Sequence, residues 1–275
     1  MEPVLTQSPV SVEDVLPIGH SSVTPNASSA PKSPASDFLD RVNLNCNQFN
    51  RRFEQGAALN ILAWAIETFG QGLSIGTSFG ASGIVLMDLA LQISRRVDIF
   101  YIDTGYFFPE TYTLIDRLQE HYQRDFRVIK TDLTIAQQAK RYGPLLYQND
   151  PNLCCHVRKV LPMHEALAER TAWATALRHD QASTRANTPV VQWNMRYKII
   201  KVAPLVHWTE ADIWQYIHEH GLPYNELHEQ GYPSISCWPC TQPVKPGEDL
   251  RAGRWQGFNK TECGLHLDHG NQVAI

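Results

Sequence analysis

The cysteines of this 275-residue chain are spaced in ways that suggest two kinds of chemistry. Cys154 and Cys155 are adjacent, and Cys237 and Cys240 bracket Trp238-Pro239. Together these pairs supply four thiolates, enough for a tetrahedral zinc site or a [4Fe–4S] cluster. A C-x-x-C pair alone also suits a redox dithiol. Adjacent cysteines are unusual zinc ligands, and bridging them closes a strained ring. A cluster has several metal corners, so neighbouring thiolates can each take a different iron. The cluster is therefore the favoured reading, with zinc or unligated thiols as the alternatives. Cys263 stands apart, in Thr261-Glu262-Cys263-Gly264-Leu265-His266. Beside Gly264, with His266 and the Arg251/Arg254 pair available to stabilise a thiolate, it is suited to nucleophilic attack. The bland alternative is a chance cysteine in a tail. Cys46 fits that description better and is given no role.

Two further segments have the chemistry of a ligand site. Ser78-Phe79-Gly80-Ala81-Ser82-Gly83 is a small-residue turn between a strand and a helix, where backbone N–H groups make an anion cradle. It lacks the lysine of a Walker A loop, and alone it is equally well a tight βα turn. Asp103-Thr104-Gly105 ends a second strand and suits ribose or adenine contacts, although it is also ordinary turn material. Downstream, Arg158, Lys159, Arg178, His179, Arg185, Arg251 and Arg254 form a basic string. Lysine and arginine are usually solvated surface charges. Arg178 and Arg185, however, flank a loop directly after a strand, where guanidinium forks would clamp a phosphate or sulfate.

The elements that must position these groups read as an α/β pattern. Helical spacing over 57–69 leads into a strand at 73–77, a helix at 82–94 and a strand at 97–102. Pro109 opens a helix to about Tyr122, and 126–130 is a third strand. Residues 154–170 read as helical despite Pro162, with strands at 172–177 and 199–202. Thr209 caps a helix to His220, with Asp212 in the capping-box position and Gly221 as the stop. Alternating strands and helices imply a mostly parallel sheet flanked by helices, with ligands at the carboxyl ends of the strands. Residues 1–36 are Ser/Pro-rich and read as a disordered or loosely docked extension, 37–245 as the α/β domain, and 246–275 as a flexible tail.

The composition sets limits on function. It is 43% hydrophobic and 19% charged, with a net charge of -4, which is ordinary for a globular protein and gives no general attraction to nucleic acid or membranes. No apolar run approaches a membrane span, and the N-terminus does not read as a secretory signal. Six cysteines in a chain of this length do not read as a secreted disulfide scaffold, so a cytoplasmic location is expected.

Taken together, Ser78–Gly83, Tyr101-Ile102-Asp103-Thr104-Gly105-Tyr106-Phe107-Phe108-Pro109, Cys154-Cys155-His156-Val157-Arg158-Lys159, Gly231-Tyr232-Pro233-Ser234-Ile235-Ser236-Cys237-Trp238-Pro239-Cys240, Arg251-Ala252-Gly253-Arg254-Trp255 and Glu262–His266 resemble the assimilatory sulfonucleotide reductases. The resemblance implies an adenine nucleotide alpha-hydrolase-like (Rossmann-like) fold and a sulfonucleotide bound at the strand ends. It implies that Cys263 attacks the sulfate sulfur and that the resulting S-sulfocysteine is cleaved by a thioredoxin or glutaredoxin thiol, releasing sulfite. Carried over by motif, Lys159, Arg178, Arg185, Arg251, Arg254 and His266 would supply cations, and Arg178 would face the reacting sulfonyl group. Ser78, Gly80, Asp103, Thr104 and Gly105 would surround the nucleotide. Both cysteine pairs resemble the cluster-bearing members, which mostly reduce adenylyl sulfate, whereas members lacking them mostly take the 3′-phosphorylated form. His179 departs from relatives with a second arginine there, which leaves the local anion specificity open. The resemblance also implies a separate thiol donor and a homo-oligomer. Two rival readings are an ATP-using adenylating enzyme, whose Ser-Gly-Gly-x-Asp-Ser loop differs from this turn, and a zinc-stabilised nucleotide-binding module in which Cys263 is incidental.

Overall fold

The structure is a computed structural model and describes residues 34–266. A six-stranded sheet runs β3-β2-β1-β4-β6-β5, formed by β1 (Leu73–Thr77), β2 (Asp98–Asp103), β3 (Arg127–Lys130), β4 (Ala172–Ala174), β5 (Val191–Asn194) and β6 (Ile199–Val202). All pairings are parallel except β5 with β6, which is antiparallel and was not anticipated. β1 is central, with Ile75 opposite Ile99 of β2 on one side and Ala174 of β4 on the other. The chain winds outward from β1 to β3 in one direction and from β4 in the other. This puts the switch point, where such sheets bind ligands, between β1 and β4.

Helix α1 (Pro34–Phe53) covers the antiparallel edge. Its Asn50 side chain donates to the Val191 carbonyl and accepts from the Val191 N–H, both at 2.8 Å, so it satisfies a backbone that would otherwise be an open sheet edge. Val42, Cys46, Phe49 and Phe53 are its buried face, which gives Cys46 a packing role. The expected boundary at 36/37 therefore falls inside a helix; the rest of the expected N-terminal extension, and the chain end after 266, lie outside the described residues.

Helix α2 (Ala58–Phe69) leads into β1, and α3 (Ala81–Ile93) and α4 (Pro109–Tyr122) follow β1 and β2, as expected. α3 is buried on nearly every side, and even its Asp88 is inside. That carboxylate is satisfied by the hydroxyls of Tyr122 at 2.9 Å and Tyr216 at 2.7 Å. The helical stretch after β3 contains a π-helical turn, His156–Val160, between α-helical Pro151–Cys155 and Leu161–Leu167. The capping box of Thr209 and Asp212 opens helix Glu210–Glu219 as read. Among the described residues no helix is long and apolar enough to cross a membrane.

Candidate active site

The carboxyl ends of β1, β2 and β4 open on one cavity of about 240 Å³. Thr77, Ser78 and Gly80 line it from β1, followed by Ser82 and Gly83 in the first turn of α3. Phe79 takes a left-handed φ of 58°, while its N–H donates to Thr77 Oγ1 at 3.0 Å and its ring packs against Tyr101 and Phe126. Burying that ring offsets the strain of the turn. No side chain caps α3, so its first backbone donors remain for solvent or a ligand. At Gly83 an added Cβ would lie 2.6 Å from Thr77 Oγ1. Gly83→Ala is therefore expected to distort the turn and cost about 1–3 kcal/mol of stability, as thermal unfolding would show.

β2 contributes less than its sequence suggested. Thr104 lines the cavity, but Asp103 and Gly105 do not. Asp103 accepts from the Gly105 N–H at 2.9 Å and the Tyr112 hydroxyl at 2.8 Å, and pairs with Lys130 at 3.4 Å. Gly105 turns the chain at φ 72°. These two residues shape the turn that carries Thr104.

β4 ends at Ala174, earlier than the expected 177, and the chain beyond it forms a wall of the cavity. The Arg178 guanidinium is buried there, donating to Ser82, to Asp180 at 2.9 Å and to Glu210. Its charge is thus shared with two carboxylates while it lines the cavity. Arg185 donates to Glu262 through Nε at 2.8 Å and a terminal nitrogen at 2.9 Å, and Arg251 pairs with the same carboxylate at 3.3 Å. Burial and neighbouring Arg185 push the Arg251 pKa down to about 10, with Glu262 acting the other way. Lys159 and Arg254 also line the cavity, and among the described residues neither has a carboxylate partner. Lys159 donates to Ser236 at 2.9 Å and Arg254 to Ser234 at 3.2 Å, while the Nε of Arg254 is buried with no partner. Two cations held by neutral hydroxyls in a cleft leave a place for an anion.

The segment 246–266 closes this cavity. Cys263 and His266 both line it. The strap is held by basic side chains donating to backbone carbonyls: Arg251 to Thr261 at 2.7 Å, Arg196 to Gly264 at 2.5 Å and Lys201 to His266 at 3.4 Å. The His266 ring stacks on Trp173 at 5.2 Å with 9° between planes. Burial, then Lys201, Arg185 and Arg251, hold its imidazole well below its ordinary pKa. His266 thus meets the cavity as a stacked aromatic wall, in surroundings that disfavour its cationic form. Trp173 was missed because an indole in a short strand reads only as core. Gly76 makes room for it, since a Cβ there would lie 2.7 Å from the indole nitrogen.

Cys154, Cys155, Cys237 and Cys240 line a second, smaller cavity behind Lys159, which borders both. The π-helical turn that follows the cysteine pair carries Lys159, and a hydrogen bond from the Trp238 N–H to the Tyr106 carbonyl at 2.8 Å brings in the other two thiols. All four are free thiols. Burial and neighbouring cysteines push Cys154 up to about 12 and Cys240 up to about 11. Such thiols ionise only if something positive binds them. A terminal nitrogen of Arg158 is buried beside them without a partner, and Thr104 Oγ1 is 3.3 Å from Cys237 Sγ. Among the described residues no group of three or more His, Cys, Asp or Glu is placed to hold a metal ion.

Residues 72–243 match the phosphoadenosine phosphosulfate reductase domain. The chain is 50% identical over 211 residues to the adenosine 5'-phosphosulfate reductase of Staphylococcus haemolyticus, covering 76% of this chain and 87% of that one. It is 48% identical over 210 residues to adenosine 5'-phosphosulfate reductase 1 of Bacillus subtilis, covering 76% and 90%. Among solved structures it is similar to the phosphoadenylyl-sulfate reductase of Candida auris in a phosphate complex, with a TM-score of 0.64 at 30% identity, covering 79% of this chain and all of that one.

Proposed function

The chain belongs to the phosphoadenosine phosphosulfate reductase family, and from that premise we propose that it reduces adenylyl sulfate to sulfite and AMP through an S-sulfocysteine on Cys263. The observation that carries this reading is the company of Cys263. It shares one cavity with the anion-suited β1 turn and with Lys159 and Arg254, the two cations without carboxylate partners among the described residues. In the proposed reaction the Cys263 thiolate attacks the sulfate sulfur. The bond from that sulfur to the bridging oxygen breaks, and AMP leaves with the electron pair. Lys159 and Arg254 offset the repulsion between a thiolate and an anionic substrate, which no neutral group would do. A dithiol donor such as thioredoxin or glutaredoxin then attacks the S-sulfocysteine. Sulfite leaves, carrying the two electrons that the donor loses in forming its disulfide, and Cys263 is returned as a thiol.

Cys154, Cys155, Cys237 and Cys240 would hold a [4Fe–4S] cluster, whose negative charge beside Lys159 would tune the electrostatics of the neighbouring cavity. Anaerobically purified protein is expected to be brown, with a broad band near ~400 nm, and Cys240→Ser to lose it. Colourless protein containing zinc would contradict this assignment.

The 3′-phosphorylated substrate is the second reading, supported by the Candida auris structure. Relatives named for adenosine 5'-phosphosulfate, and the two cysteine pairs, favour the unphosphorylated one. Sulfite release from each nucleotide in the presence of thioredoxin separates the two. Higher kcat/KM for adenylyl sulfate is expected, and a preference for the 3′-phosphorylated form would overturn the substrate assignment.

A further inference from the structure

Glu262, the residue before Cys263, has no part in the chemistry above, yet it is among the most thoroughly bound side chains in the molecule. Its carboxylate is only 7% exposed. One oxygen accepts from Arg185 Nε at 2.8 Å and Thr184 Oγ1 at 3.3 Å, and the other from Arg185 at 2.9 Å and Arg251 at 3.3 Å. Two guanidinium groups converging on one oxyanion is the way proteins hold a sulfate or phosphate. Here the anion is part of the chain and is one residue from the proposed nucleophile.

We propose that Glu262 is a positioning residue that latches the C-terminal strap: by filling the Arg185–Arg251 pair it seats Cys263 in the cavity, and its release frees that thiol to leave. This rests on the reading of Cys263 as the nucleophile. Other ties on the strap are single hydrogen bonds from Arg196, Lys201 and Arg251 to backbone carbonyls, which any sequence would offer. His266 adds its stack on Trp173 and Lys260 a hydrogen bond to Asn152 at 2.5 Å, but among the described residues the bidentate contact from Arg185 to Glu262 is the one ion pair between the strap and the rest of the fold. It also separates the cations by task. Arg185 and Arg251 share one carboxylate while the strap is closed, and Lys159 and Arg254 are left to the anionic end of a substrate.

The test is the rate at which iodoacetamide alkylates Cys263 in the full-length protein, read on the peptide that carries it, for wild type, Glu262→Gln and Glu262→Asp. The amide keeps the shape of the side chain but loses its charge, so alkylation is expected to rise at least about tenfold. Aspartate retains the charge and should stay within about threefold of wild type. In turnover, Glu262→Gln is expected to lower kcat about ten- to a hundredfold with KM within about threefold, since it misplaces the thiol rather than the substrate. Equal alkylation in wild type and Glu262→Gln, or as large a rise in Glu262→Asp as in Glu262→Gln, would overturn the latch. A wild type that releases no sulfite would instead sink the proposed function, while the alkylation comparison would still decide the latch.

Discussion

Replacing Cys263 with serine is expected to lower sulfite release by about 10⁴-fold or more while AMP affinity stays within about threefold. The two halves of that result have different causes. A serine hydroxyl is scarcely ionised near neutral pH and cannot form the sulfur–sulfur bond of the intermediate, so no alternative path remains. The strap, by contrast, is held by Glu262 and by the carbonyls of Thr261, Gly264 and His266, none of which depends on the thiol. The cavity walls from Ser78 to Gly83 and the stacked Trp173 and His266 are likewise untouched. Isothermal titration with AMP beside a sulfite assay checks both halves on one preparation.

The next largest effects are expected at Lys159 and Arg254. Each should lose about 10²- to 10³-fold in kcat/KM on replacement by alanine, because a cation facing an anionic substrate in a desolvated cleft has no solvent substitute. Combined, they should lose less than the product of the single effects, since both face the same charge. Lys159 borders the cysteine cavity, so absorbance near ~400 nm distinguishes a lost cation from loss of the proposed cluster. Arg254 gives the cleaner measurement: its terminal nitrogen reaches only the Ser234 hydroxyl, and its removal strands no carboxylate among the described residues. A loss below about fivefold in Arg254→Ala would mean that the substrate anion is held elsewhere.

Much of the frame was legible because its signals are local. β1, α4 and β6 fall where periodicity placed them, and Thr209 with Asp212 forms the capping box its spacing implied. Two other local signals went unread. Val42, Cys46, Phe49 and Phe53 recur at helical spacing inside α1, beneath a Ser/Pro-rich start that reads as extension. Thr134 and Gln137 form a capping box that opens the helix Ile135–Tyr142. The site was legible in its reactive atoms but not in its charge balance. Which arginine is free depends on carboxylates that only the fold brings near: Glu210 lies 32 residues from Arg178, and Glu262 lies 77 from Arg185. Residue type placed Arg178 and His266 among the cations, but not the Asp180 and Glu210 pairing of the one or the burial of the other.

The central claim is that Cys263 itself takes the sulfonyl group, and it can be observed without turnover. Reduced protein, freed of thiol donor and incubated with adenylyl sulfate, is expected to gain the mass of one SO₃ group on the peptide carrying Cys263. One equivalent of AMP should be released, and later addition of thioredoxin should discharge the group as sulfite. AMP release with no adduct on Cys263, or an adduct on another cysteine, would contradict it.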